Sequence, residues 1–221
     1  MKNAVIVAAA GKGKRFKNKL PKQYVKVNGR EILALSLDNF EKNPQIDAVV
    51  LVVSPDYAVY ARKMAVKYGY KKIIGIINGG AERFLSVYNA VIFLKDSMPE
   101  NVLIHDGARP KAGAALIRKI LTALKKEKAV IPVNRIFATV KQVKDGYIEK
   151  TIDRNTLRTA HTPQGFKYKE LLELYELNNL AAQKPTDDAA VFEAAGFKVK
   201  IIEDEEENVK VTVRRDINRI T

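Results

Sequence analysis

Ala4-Val5-Ile6-Val7-Ala8-Ala9-Ala10-Gly11-Lys12-Gly13-Lys14-Arg15 decides the fold. Ala4–Ala8 is a continuous apolar run of strand length, which predicts a strand buried on both faces. It opens directly into small residues and two glycines, and then into a cluster of cations. Small side chains let backbone approach a ligand, and glycine takes the positive φ that a phosphate-wrapping loop needs. Such a loop belongs at the carboxyl end of a central strand, where open α/β sheets bind ligands. The dinucleotide fingerprint G-x-G-x-x-G is not met, because Phe16 stands at the third glycine, and no G-x-x-x-x-G-K-[ST] loop occurs. Instead Arg15 and Lys22, the latter within Pro21-Lys22-Gln23, can fold over an anion from two sides.

Outward from this loop the pattern repeats. Ala48–Val53 is a second buried strand, with further strands expected at Lys72–Ile76 and Val102–Ile104. Helical spacing marks Ile32 to Phe40, Ala58–Tyr68, Arg83–Leu94, Ala114–Lys126, Tyr168–Leu177 and Asp188–Ala195. The β-α-β-α order predicts an α/β fold: a Rossmann-like, mostly parallel sheet with helices on both faces. Between Val133 and Arg154 the rhythm breaks. Val140, Gln142 and Lys144 alternate with their neighbours, Asp145-Gly146 supplies a tight turn, and Tyr147–Ile152 returns. Residues 134–154 therefore read as an inserted β-hairpin arm within one domain of residues 1–221. An isolated hairpin is marginal in water, which makes a second subunit the expected partner. The acidic run Glu203–Glu207 reads as a solvated loop.

Composition narrows the chemistry. The 221 residues are 47% hydrophobic and 29% charged, as in a globular protein. No apolar run is long enough for a membrane helix. The absence of cysteine excludes a disulfide framework and a thiolate zinc site and makes the cytoplasm the expected location. The net charge of +14 points to anionic partners: nucleic acid, acidic membrane or phosphorylated small molecules. Against a nucleic-acid module stand 8% aromatics, no tryptophan and no RNP, KH or zinc motif. Only His105 and His161 are present, and both read as packed residues rather than bases.

The loop does not stand alone. Gly79-Gly80-Ala81-Glu82-Arg83 with Ser86, His105-Asp106-Gly107-Ala108-Arg109-Pro110, Thr151-Ile152-Asp153-Arg154-Asn155, Thr162-Pro163-Gln164, Thr186-Asp187-Asp188 and Asn208-Val209-Lys210-Val211-Thr212 follow in order. With the first loop they resemble the 2-C-methyl-D-erythritol 4-phosphate cytidylyltransferase family, over Ala8 to Thr212. The resemblance implies transfer of CMP from CTP to a polyol phosphate. Ribitol-5-phosphate cytidylyltransferase, with the same loop and a different acceptor, is the alternative. It implies that Ala9, Ala10, Gly11 and Gly13 cradle the CTP phosphates, that Arg15 and Lys22 stabilise the transition state, and that Gly80 and Ser86 meet the base. Asp106 would contact the nucleotide and Mg²⁺, a hard cation suited to one carboxylate and phosphate oxygens. Arg109, Arg154 and Lys210, with Thr139, Thr162 and Thr186, would hold the acceptor phosphate, and the arm would complete a homodimer. Two departures stand out: Ala81 where many relatives carry Asp, and Ala138 where Asp is common before Thr139.

Overall fold

A computed structural model describes residues 1–177, 185–204 and 207–221. In chain order these comprise β1 (Asn3–Ala9), β2 (Lys26–Val27), β3 (Arg30–Glu31), α1 (Ile32–Glu41), β4 (Ala48–Val53), α2 (Ala58–Tyr68), β5 (Ile73–Asn78) and α3 (Arg83–Phe93). They continue with β6 (Asn101–Asp106), α4 (Ala114–Ala123), β7 (Ala129–Arg135), β8 (Val140–Lys144), β9 (Tyr147–Ile152), β10 (Arg158–Ala160) and β11 (Gln164–Lys167). Last come α5 (Tyr168–Leu177), α6 (Ala189–Ala194) and β12 (Lys200–Glu203).

The main sheet runs β10-β7-β11-β6-β1-β4-β5, with β12 beside β7. β1 pairs in parallel with both β4 and β6, and β4 with β5. β11 runs antiparallel between β6 and β7, and β10 pairs antiparallel with β7. The expected mostly parallel α/β sheet is present, with an antiparallel element inserted near one side. β10 and β11 follow one another along β7, separated by the cis Thr162–Pro163 bond, with His161 N donating to Pro132 O between them.

β1 is buried on both faces, and its alternate residues divide the core. Ala4 and Ile6 pack with Val87 and Val91 of α3, Leu171 of α5 and Phe192 of α6. Val5 and Val7 pack with Leu37 and Phe40 of α1, Met64 of α2 and Ile120 of α4. Helices therefore cover both faces, and every strand of the parallel set opens at the same edge. The register sets Ala9 opposite Val53 and Ala8 opposite Asp106, so the loops after β1, β4, β5 and β6 converge.

The arm is different. Among the described residues β8 and β9 pair only with each other, closed by a turn in which Asp145 and Gly146 both have positive φ. That is the mirror-image hairpin geometry which an Asp-Gly pair favours. Val143, Tyr147 and Ile148 stand exposed. One expectation fails nearby. Glu203–Glu207 is not simply a solvated loop: Glu203 ends β12 and pairs with Arg135 at 3.0 Å, while Asp204 is buried, its N–H donating to Val133 O. Residues 205–206 lie outside the described residues.

Candidate active site

At the outlet of β1 the chain is pinned rather than loose. Gly13 sits at φ 62°, and Phe16 anchors the next turn in a small core with Val27, Ile32, Val209 and Val211. The chain then returns through a 3-10 turn, Lys22–Tyr24. There Gln23 Nε2 donates to the carbonyl oxygens of Ala9 (2.6 Å) and Gly11 (2.9 Å). One buried amide thus ties the returning chain to the phosphate-type loop, leaving loop N–H groups free to face a ligand. The neighbouring Lys22 Nζ donates to Val211 O at 2.5 Å. Burial, then repulsion from Lys210, lowers its pKa to about 8.

The loop after β5 forms the opposite wall. A Cβ on Gly79 would lie 2.3 Å from Ala10 Cβ, so only glycine lets the two loops approach this closely. Ser86 Oγ accepts from Gly80 N (3.1 Å) and donates to Glu82 O (3.1 Å). The Ser86 hydroxyl expected at the base is therefore committed to shaping this loop.

Asp106 ends β6 in the floor of the cleft, among three cations. Lys210 Nζ lies 2.8 Å and Arg109 Nε 3.3 Å from Oδ2, and Arg83 Nε lies 3.6 Å from Oδ1. Burial would raise the pKa of this carboxyl, but Lys210, Arg83 and Arg109 outweigh it and hold the group well below the usual carboxylate range. Behind it, His105 is fully buried, which lowers its pKa to about 4 and leaves the ring neutral. His105 Nε2 lies 2.9 Å from Arg109 O, which can only accept, so the proton is on Nε2 and Nδ1 accepts from Thr162 Oγ1 at 3.1 Å. Thr162 Oγ1 in turn accepts from Asp106 N at 3.1 Å, and Asn208 Nδ2 donates to Thr162 O. Thr162, expected to touch an acceptor, instead supports Asp106 from behind.

Two cavities meet at Lys210. The first, about 820 Å³, is lined by Ala9, Ala10, Gly11, Gly13, Lys22, Gly80, Ser86, Asp106 and Lys210, all expected from the sequence. Lys12, Gln23, Asp56, Ala81, Glu82 and Arg83 line it as well. The second, about 710 Å³, contains Arg109 and Lys210 beside Phe137, His161, Asp204 and Asn208. Arg15 is exposed and lines neither cavity, and nor do Thr139, Arg154 or Thr186. Arg154, on the arm, donates through Nη1 to Phe137 O. Sequence reasoning assigned no role to Gln23, Arg83 or Asp188. Each lies inside a quoted motif, but its partner is distant in sequence, as with Arg83 and Asp188, 105 residues apart.

A glycine-rich loop at a parallel-strand outlet, a cation-clamped carboxylate and an adjoining cavity that shares Lys210 are the arrangement of an α/β nucleotidyltransferase fold. The family model "IspD: 2-C-methyl-D-erythritol 4-phosphate cytidylyltransferase" matches residues 3–220, and the chain belongs to that family. It is 35% identical over 217 residues to the 2-C-methyl-D-erythritol 4-phosphate cytidylyltransferase of Geobacillus thermodenitrificans, covering 98% of this chain and 94% of that one. It is 39% identical over 222 residues to the bifunctional enzyme IspD/IspF of Paramagnetospirillum magneticum, and here spans 99% of itself but 56% of the relative. The crystal structure of 4-diphosphocytidyl-2C-methyl-D-erythritol synthase from Anaerococcus prevotii superposes with a TM-score of 0.86 at 34% identity, covering 99% of this chain and 93% of that one.

Proposed function

We propose that this chain transfers CMP from CTP to the phosphate of 2-C-methyl-D-erythritol 4-phosphate. The observation that carries this is the paired arrangement of a nucleotide-sized cleft and a second cavity, with Arg109 at its wall, that share Lys210 beside Asp106. An oxygen of the acceptor phosphate forms a bond to the α-phosphorus while the bond to the α–β bridging oxygen breaks, and the electron pair leaves with pyrophosphate. No protein nucleophile is required; orientation and charge stabilisation carry the rate.

In this reading the N–H groups of Ala10 to Gly13 receive the triphosphate and Lys22 meets the charge that develops at the transferring phosphorus. Arg15, exposed between the left-handed residues Gly13 and Lys17, joins by swinging its long side chain toward the triphosphate while Phe16 keeps the turn anchored. Gly80 and the adjoining backbone of Ala81 read the base, so the alanine at 81 leaves recognition to main-chain groups. Arg109 and Lys210 hold the acceptor phosphate from the second cavity. Among the described residues no group of three or more His, Cys, Asp or Glu gathers to hold a metal. Asp106 alone fits the mode in which Mg²⁺ takes one carboxylate and several phosphate oxygens, where it would neutralise charge on the triphosphate.

Arg154 and Thr139, both on the 134–154 arm, line neither cavity of their own chain, which supports a homodimer in which the arm serves the partner's acceptor site. The exposed Val143, Tyr147 and Ile148 give the arm an apolar surface to bury. No described helix is long and apolar enough to cross a membrane. Pyrophosphate release should follow mixing with CTP, Mg²⁺ and methylerythritol phosphate. Turnover of ribitol 5-phosphate alone would overturn the acceptor, and release with neither would overturn the function.

A further inference from the structure

Gln164 and Asp188 are side chains that the transfer chemistry does not use, yet they are among the most deeply buried polar groups of the described residues. Gln164, on β11, is almost fully buried; its Oε1 accepts from the N–H groups of Asp188 (3.2 Å) and Ala189 (3.1 Å). Its Nε2 donates to Asp187 Oδ2 at 2.8 Å. The turn before α6 is thereby fixed to the sheet. This sets Asp188, 1% exposed, where its Oδ1 accepts from Tyr175 OH (2.9 Å) and its Oδ2 from Arg83 Nη2 (2.7 Å). Tyr175 is itself buried on α5, its ring stacked against Tyr88.

Arg83 then faces two carboxylates at once: Nη2 toward Asp188 and Nε toward Asp106 at 3.6 Å. It also lines the nucleotide cleft. A guanidinium can bridge in this way because its donors lie in a fixed plane; an ammonium offers one point charge. The buried negative charge of Asp188 lines neither cavity, and its cost is offset by Arg83 and Tyr175. We propose that Asp188 and Tyr175 are positioning residues that hold the Arg83 guanidinium against Asp106, so that the cleft meets its nucleotide with both groups already oriented. The inference rests on the nucleotidyl-transfer reading and extends it from the cleft wall into the core. It also gives the Gly79–Arg83 and Thr186–Asp188 segments a shared task.

The test compares the full-length wild-type chain with Arg83→Gln, Arg83→Lys, Asp188→Asn, Tyr175→Phe and the Arg83→Gln/Asp188→Asn double variant. CTP affinity is read by calorimetry without acceptor, and KM for CTP and for acceptor by pyrophosphate release. Loss of a hydrogen bond to a charged group costs about 10- to 100-fold, and that loss is expected in CTP affinity and KM for Asp188→Asn and Arg83→Gln, with the acceptor KM unmoved. Arg83→Lys should fail to rescue, and Tyr175→Phe should lose about three- to tenfold, the scale of one ordinary hydrogen bond, because it reaches Arg83 only through Asp188. If Asp188 acts through Arg83, the double variant is no worse than Arg83→Gln.

A purely structural role would lower kcat and thermal stability with KM for CTP unchanged, and would make the two losses add; that result overturns the proposal, as does unaltered CTP affinity in Arg83→Gln. Should Asp188→Asn not fold, Tyr175→Phe and the cleft-rim Arg83 variants carry the same test. A wild-type chain that binds no CTP would overturn both the function and this inference, whereas active wild type with indifferent variants overturns the inference alone.

Discussion

The cleft at the outlet of β1 and the arm of β8 and β9 are built on opposite plans. The cleft is finished within one chain: Gln23 pins the loop, Gly79 lets the walls close, and Asp106 is clamped by Lys210, Arg109 and Arg83. The arm has one internal ladder, exposed apolar residues and a cationic Arg154 whose Nη1 donates to the carbonyl of Phe137. The difference teaches that a reactive phosphate site needs rigidity where charge develops, whereas a segment that must dock on another molecule keeps its contact surface open. In our proposal, the first half holds the nucleotide and the second completes the acceptor site across a dimer.

The contrast is testable from both sides. The largest effect is expected for Lys22→Ala, which should cut turnover by about 10²–10³, as loss of an oriented transition-state donor does. Thermal stability should stay near wild type, and steady-state rates together with a melting curve separate the two. Next comes Arg154→Ala, which should raise the acceptor KM by about 10- to 100-fold through loss of a charge-assisted contact. KM for CTP should not change; an unchanged acceptor KM would remove the arm from the site. Gln23→Leu leaves the Ala9 and Gly11 carbonyls without their buried donor and should cost about 1–3 kcal/mol of stability. CTP affinity should weaken with it, because the loop is no longer pinned.

The smallest effect is a pH dependence. Lys22 in the free protein has a pKa lowered to about 8 by burial and by Lys210. A triphosphate beside it favours the ammonium form and raises that pKa, so binding takes up a proton. CTP affinity should therefore fall as pH rises through about 8. In Lys22→Arg, whose guanidinium remains charged, that fall should be flattened. Calorimetric titrations between neutral and alkaline pH check the sign, and affinity that rises with pH would contradict it.

Much of the cleft was legible in the sequence because its determinants are local. A buried run leading into Gly11-Lys12-Gly13 is a strand and a phosphate-type loop whatever else surrounds it, and Asp145-Gly146 specifies its hairpin in two residues. The mixed part of the sheet was not legible. β10, β11 and β12 are short, and β12 finds β7 across some seventy residues, as in the pairing of Lys200 with Val130. Side-chain destinations were hidden for the same reason. Ser86 and Thr162 are hydroxyls in nucleotide-type motifs, yet both are occupied in positioning neighbours. Asp204 sits in an acidic run and looks solvated, but the strand before it turns its carboxylate toward His161 at 3.4 Å. Arg15, read as part of the phosphate clamp, is exposed, and its side chain must turn toward the cleft to take that role.

Subunit complementation asks most directly whether one chain supplies the nucleotide half and another the arm. Lys22→Ala and Arg154→Ala chains are each purified, mixed under conditions that exchange protomers, and assayed for pyrophosphate release. In a mixed dimer one of the two sites would then carry neither defect, so activity should return to about a quarter of wild type on statistical pairing. With acceptor held well below the KM of the Arg154→Ala chain, a mixture no more active than the average of its two components, with exchange verified, would place Lys22 and Arg154 in the same chain's site and contradict the account.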